Sequence, residues 1–226
     1  MDNNKKIKLN WKKFWKLKKI KLASYNNRLL LNLNGFGDGP GYVSLTNLKK
    51  SQRKVCQILK IAPKETILDY GSGNGLFASF FLSKAKKVYC YDMSRTSIEV
   101  GKLNFKEIFF LKKNEIKNRY DYIICCSVFQ YLSYKEATKL LLFFHKISKK
   151  SFFIIDISNL VTKAEHLRFR RNFTLNSKYL LPKHSYFNKN FFIKFAKKSS
   201  LSTVFFNNVL LSRQKKFKFS VLFKKE

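Results

Sequence analysis

The stretch ILDYGSGNGLFA, residues 67 to 78, constrains the fold of this chain more than any other. An apolar run of Thr66, Ile67 and Leu68 ends in the acidic Asp69. Glycines follow at the alternate positions Gly71, Gly73 and Gly75, and a helical pattern opens at Leu76 and runs to about Lys84. That order predicts a strand, a tight glycine turn and a helix, since a backbone turning so sharply against a ligand has no room for a Cβ and often needs positive φ. The dinucleotide fingerprint G-x-G-x-x-G has another rhythm, without the alternation or the strand-terminal acid.

The rest of the chain alternates strand and helix. The amphipathic stretch from Thr46 to Ile61 reads as a helix closed by Pro63. After the glycine turn come a strand at Lys87 to Tyr91 ending in Asp92, a helix from Ser94 to Asn104, a third strand near Ile108 to Leu111 and a fourth from Tyr122 to Cys126. A helix from about Tyr134 to Ile147 leads to SFFIIDIS, apolar enough for burial on both faces. FNKNFFIKFAKKSS is helical in pattern, and TVFFNN and KFKFSVLFKK read as a hairpin around residues 209 to 215. The alternation predicts an α/β fold: a Rossmann-like doubly wound sheet of seven strands, mostly parallel with a C-terminal antiparallel hairpin. Residues 159 to 186 break the rhythm, with Arg168, Arg170 and Arg171 clustered, no clear period, and Pro182 and His184 at the close.

With 226 residues the chain suits one domain plus an accessory segment. Its charge is unusual: 47 Lys and Arg against 13 Asp and Glu, a formal net of +34. Abundant Asn, Ile, Phe and Tyr fit an AT-rich coding sequence, which explains the lysines better than the shortage of acids. So positive a chain attracts nucleic acid, acidic membrane surface or phosphorylated small molecules, and composition does not choose among them. No apolar run reaches the ~20 residues of a membrane span, and lysines interrupt the N-terminal apolar residues, so the chain is expected to be cytoplasmic. The cysteines Cys56, Cys90, Cys125 and Cys126 form no C-x-x-C pair and read as buried free thiols, without a metal site. Residues 5 to 22, KKIKLNWKKFWKLKKIKL, place Ile7, Trp11, Phe14, Trp15 and Leu22 on one side of a helix. That stripe either packs on its own domain or makes peripheral contact with an anionic membrane.

The spacing D-x-G-x-G-x-G at Asp69 to Gly75, with the residues at the ends of the later strands, resembles class I S-adenosylmethionine (SAM) methyltransferases over residues 66 to 158. The resemblance implies SAM as cofactor. Asp69, Gly71, Ser72, Gly73 and Gly75 then meet its methionine and ribose portion. Asp92, about twenty residues past the turn, accepts the ribose hydroxyls. Met93 offers an apolar face to adenine, Asn114 and Glu115 read its amino group, and Cys126, Ser127 and Val128 line the sulfonium. Taken alone, Asp92 also suits a helix N-cap and Asn114 a turn. The loop LNGFGDGPGY is expected to fold over the cofactor mouth, where Tyr42 can reach the ligand.

The turn after the fourth strand bears on the acceptor. Methyltransferases of bases or glutamine carry N/D-P-P-Y/F there, whereas CSVFQYL looks like the V-L-H-H-L turn of small-molecule enzymes, with Gln130 and Tyr131 in the histidine places. LNGFGDGPGY and HSYFNKNFFIKFAKK are also similar to methyltransferases of bacterial capsule and surface-polysaccharide clusters. The implied reaction is methyl transfer to a small acceptor, at an oxygen of a sugar or phosphorylated intermediate. The general bases expected are His184, then Tyr131, with His145 read as a core or surface residue. The arginine cluster either clamps an acceptor phosphate or faces solvent. Two alternatives stand: an RNA methyltransferase, suggested by charge, and a catalytically silent SAM-binding protein docked to a membrane or partner. The layout expected is a basic extension and Gly-rich cofactor-side loop at 1–45 and a methyltransferase domain at 46–226, with a substrate-side insertion at 159–186.

Overall fold

A computed structural model describes residues 22–37, 39–117, 119–174 and 183–225. The amphipathic stripe read at residues 5–22 lies outside the described residues except for Leu22, which is exposed. Pro182 also lies outside them. The strands are β1 (Thr66–Tyr70), β2 (Lys87–Tyr91), β3 (Phe109–Phe110), β4 (Tyr120–Cys126), β5 (Ser148–Ser158), β6 (Leu201–Asn207) and β7 (Lys218–Lys225). They form one sheet in the order β3-β2-β1-β4-β5-β7-β6. The first five run parallel, and β7 is antiparallel to both β5 and β6. The predicted seven-stranded α/β sheet is therefore present.

Six α-helices accompany the sheet among the described residues: α1 (Asn27–Leu33), α2 (Leu45–Leu59), α3 (Arg95–Asn104), α4 (Tyr134–Ile147), α5 (Lys163–Thr174) and α6 (Lys189–Lys198). One core layer joins Leu30 and Leu31 of α1, Leu48 and Val55 of α2 and Val100 of α3 to Ile67, Val88 and Ile124 of the sheet. The other joins Leu141 and Phe144 of α4 and Phe192 and Phe195 of α6 to Leu68, Ile123 and Phe152. Alternate strand residues thus serve opposite faces, as the pleat requires. Strand order reverses between β1 and β4, and at such a switch point the connections leave in opposite directions and open a crevice at the carboxyl ends.

Two local expectations differ from the structure. The helix expected from Leu76 is a short 3₁₀ segment, Ala78–Ser83. The buried Gln52 side chain of α2 donates to the carbonyls of Leu76 and Phe77, at 3.2 and 3.0 Å. Those acceptors would otherwise carry the first bonds of an α-helix. In residues 159–186, where no period was legible, α5 forms. Its inner face is made by His166 and Arg170, one turn apart and both buried, so a hydrophobic period has nothing to register there.

Candidate active site

The crevice holds a cavity of about 630 Å³. One end is built on β1 and β2. Gly71 has φ of 81°, and a Cβ there would lie 2.3 Å from Val128 Cγ2. Gly73 has φ of 58°, and its Cβ would lie 2.3 Å from Asn34 Oδ1. The turn can approach both neighbours only as glycine. Asp92 clasps the turn: one carboxylate oxygen accepts the Gly73 N–H and the other the Ser94 N–H, both at 2.8 Å. The cap of α3 is Ser94, whose side chain accepts from Ser97, so Asp92 is not the N-cap that its position also allowed.

Asp69 is 1% exposed, and neither carboxylate oxygen has a hydrogen-bond partner among the described residues. Burial, then the nearby charge of Asp92, pushes its pKa up to about 8. The Ser72 hydroxyl is likewise buried, with no nitrogen or oxygen partner among the described residues. Asp92 is also raised by burial, with the N–H groups of Ser94, Gly73 and Met93 acting against it.

The glycine-rich segment closes over this end. Asn34 Nδ2 donates to Asn74 Oδ1 at 2.9 Å, Asn34 Oδ1 accepts the Asn74 N–H at 3.1 Å, and Asn74 Nδ2 donates to the Leu30 carbonyl at 2.8 Å. These bonds hold Gly35, Phe36, Pro40 and Gly41 against the cavity.

The other end is built on β4, β5 and β7. Ser127 and Asp156 both have positive φ, 61° and 68°. The β5–β7 register shifts between Ile154 and Ile157, and this irregularity turns Asp156 into the cavity. Asp156 Oδ2 accepts from Ser127 Oγ at 2.7 Å and from Lys218 Nζ at 2.6 Å, and Asp156 Oδ1 accepts from Asn208 at 2.7 Å. Lys218 Nζ also donates to Gln130 Oε1 at 2.5 Å. Arg170 donates to the His184 ring, which forms an edge contact with Tyr131 at 5.6 Å between ring centres. Burial, then the charges of Arg170, Lys218 and His166, holds the His184 pKa well below its ordinary 6.5.

Of the residues read from sequence, Asp69, Gly71, Ser72, Gly73, Asp92, Met93, Cys126, Ser127, Val128, Tyr131 and His184 line this one cavity. Four do not. Gly75 packs behind the turn, where a Cβ would meet Phe110 at 2.9 Å. Glu115 accepts the Lys112 N–H in a capping box beside the exposed Asn114, and Lys113 and Ile116 line the cavity there instead. Tyr42 is held between Arg28 and Arg213, at 5.1 and 4.5 Å from its ring, while Phe36 from the same loop reaches the cavity. His145, expected in the core or on the surface and not in the site, lies on α4.

Sequence reasoning missed Asp156, Lys218 and His166. An acid inside the otherwise apolar FIIDIS was a usable signal for Asp156. Lys218, one of many lysines in KKFKF, gave none.

A doubly wound sheet with an acid-closed glycine turn at its switch point is the architecture of class I methyltransferases. A family model described as a methyltransferase domain matches residues 47–195, and the chain belongs to that family. Magnesium protoporphyrin IX methyltransferase from Synechocystis PCC 6803, solved with SAH, is 15% identical over 87% of this chain and 95% of its own, with a TM-score of 0.57. An S-adenosylmethionine-dependent methyltransferase from Clostridium acetobutylicum ATCC 824 is 12% identical over 80% and 91%, with a TM-score of 0.58. A SAM-dependent methyltransferase from Aquifex aeolicus is 16% identical over 89% and 99%, with a TM-score of 0.55. At these identities the likeness is one of fold. No curated protein sequence is significantly similar to the chain.

SAM is the cofactor of this family and fold. The residues present fit it: an ammonium suits the two bare oxygens of Asp69, and paired hydroxyls suit Asp92.

Proposed function

We propose that this chain transfers a methyl group from SAM to an oxygen of a small acceptor, a sugar or phosphorylated intermediate of surface-polysaccharide synthesis, in the cytoplasm. The observation that carries the proposal is the single cavity, with an acid-lined glycine turn at one end and the CSVFQYL turn, with its Ser127, Gln130 and Asp156 network, at the other. The turn lacks the N/D-P-P-Y/F form that grips a flat nitrogen base.

Bound SAM supplies a methyl group activated by the positive sulfur. Asp92 holds the ribose, Asp69 the ammonium, and Cys126 and Val128 present an apolar wall to the reacting centre. Phe36 and Pro40 exclude water, which favours transfer between aligned reactants. His184, neutral at physiological pH, accepts the acceptor's hydroxyl proton at a ring nitrogen, and the Tyr131 hydroxyl is the second group placed for that role. The Lys and Trp stripe at residues 5–22 would add peripheral contact with an anionic membrane. Liposome sedimentation with and without residues 1–24 tests it, and equal pelleting of both forms contradicts it.

The net charge of +34 favours one other reading, methylation of RNA. Incubation with methyl-labelled SAM and separate pools of sugars, sugar phosphates and RNA decides. Label in the small acceptors is expected. Label only in RNA supports the second reading, and SAH binding without transfer to any pool supports a catalytically silent protein.

A further inference from the structure

The end of the sheet opposite the crevice is lined with cations. Five neighbouring strands, β2, β1, β4, β5 and β7, reach it side by side, where Thr66 pairs with Lys87, Tyr120 with Ser148 and Ser151 with Lys224. Each brings an exposed cation within two residues of its end: Lys86, Lys64, Arg119, Lys149 and Lys224, in that order across the sheet. Neighbouring strands lie about 4.8 Å apart, so the row is about 20 Å long. None of these five charged heads makes an ion pair or a hydrogen bond among the described residues.

Two carboxylates flank these strand ends, and both are committed inward. Glu65, buried, accepts the Ala62 N–H at 2.6 Å and the Tyr122 hydroxyl at 3.1 Å, and is paired with Lys150. Asp121 Oδ2 accepts the N–H and the hydroxyl of Thr66, each at 2.8 Å. Glu107 is exposed but leads into the edge strand β3, outside the row, and Glu226 lies outside the described residues. Cations therefore crowd one another here. Lys225, whose Nζ donates to the Ser148 carbonyl at 2.6 Å, has its pKa lowered by burial and then by the charge of Arg119. Like charges fixed together repel, and an anion laid across them relieves the repulsion.

The groups beside the charges select the kind of anion. Among the described residues, none of the exposed large apolar side chains lies on these five strand ends, Phe109 on β3 being the next along the sheet. The row thus lacks apolar side chains to sink into a bilayer, the buried anchors of a protein interface and an aromatic platform for unpaired bases. No helix stands among its cations to enter a deep groove. Cations fixed on strand ends suit phosphates flanking a wide, shallow groove, the minor groove of A-form RNA. We propose that the amino-terminal edge of the sheet, from Lys86 across Lys64, Arg119 and Lys149 to Lys224, docks double-helical RNA through its phosphates. The edge lies a strand length from the crevice, about 15–20 Å. RNA held there is not presented to the cofactor, so the surface does not depend on which molecule is methylated.

Fluorescence anisotropy with a short labelled RNA duplex compares the full-length wild type with two quadruple variants of equal charge. One carries Lys64→Gln, Lys86→Gln, Lys149→Gln and Lys224→Gln at the edge. The other carries Lys49→Gln, Lys50→Gln, Arg53→Gln and Lys54→Gln on the exposed side of α2. The edge variant should bind about tenfold or more weakly, and its slope of log K against log salt between about 50 and 200 mM should fall by about three, as four lost phosphate contacts require. The α2 variant should change affinity by less than about threefold. Circular dichroism verifies folding, and SAH affinity should be the same in all three proteins. Lysine acetylation of the wild type guards against an edge variant that fails to fold: the duplex should protect Lys64, Lys86, Lys149 and Lys224 and leave Lys49 and Lys50 reactive. Equal weakening in the two variants, protection elsewhere, or no duplex binding would overturn the surface. Duplex DNA bound as tightly as duplex RNA would overturn the choice of RNA. Edge-dependent binding to phosphatidylcholine–phosphatidylglycerol vesicles in place of RNA would overturn it in favour of a membrane.

Discussion

Replacing Asp69 with asparagine gives a sharp test of the site's electrostatics. The carboxyl is buried with neither oxygen bonded among the described residues, and its pKa lies at about 8 against an ordinary 3.8. Between those values the folded, ligand-free protein binds a proton that the unfolded chain has released. Stability from this group is therefore complete below the unfolded pKa and is lost as pH rises towards the folded one. The loss amounts to about 1.4 kcal/mol per pH unit within that window. An asparagine side chain does not titrate, so between pH 6 and 7.5 the wild type should lose about 2 kcal/mol relative to Asp69→Asn. Urea unfolding of both ligand-free proteins at the two pH values measures it. A cationic ammonium placed against Asp69 favours the ionised carboxylate. SAH binding near pH 6.5 should then release protons in the wild type and not in the variant, as read by calorimetry in buffers of different ionisation enthalpy. A stability difference that does not change with pH would refute the reasoning.

Three other perturbations probe the histidines and the polar contacts around the cavity. Burial lowers the pKa of His184 well below 6.5 and of His166 to about 4, so both fold neutral. Their contribution to stability is lost as pH falls below 6.5, and an unfolding series from pH 7 to 5 should show a decline that His166→Gln reduces. Gln52→Ala removes the side-chain amide donor from the Phe77 carbonyl and leaves that of Leu76 with only the Ser79 hydroxyl, and should cost about 1–3 kcal/mol in urea unfolding, with little change in SAH affinity. Asn34→Ala removes both bonds between the glycine-rich segment and Asn74, and should weaken SAH binding by about three- to tenfold in a calorimetric titration.

The central sheet was legible because parallel strands are marked by apolar runs ending in acids and turns. Asp69, Gly73, Asp92 and Ser127 all fall at the strand ends where the crevice opens. What escaped was carried by polar groups facing inward. Helix α5 buries His166 and Arg170 on its inner face, so its period is written in residues that ordinarily mark a surface. Gln52 replaces a helix by bonding to two carbonyls 24 and 25 positions away, a contact no local pattern encodes. Asp156 enters the site through a shift in strand register, and Lys218 meets it from β7, 62 residues on. Tyr42 illustrates the opposite error: an aromatic beside a glycine loop was expected at the ligand, yet two arginines hold it elsewhere.

Every role assigned to the cavity depends on the cofactor lying at its β1–β2 end, in reach of Asp92 and against the Gly73 turn. Titration of SAH into the wild type, Asp92→Ala and Gly73→Val tests this most directly, with circular dichroism to verify folding. One SAH per chain should bind to the wild type, more weakly to Asp92→Ala and not measurably to Gly73→Val, whose branched side chain meets Asn34 at a positive φ. Equal SAH affinity in all three folded proteins would contradict the placement of the cofactor.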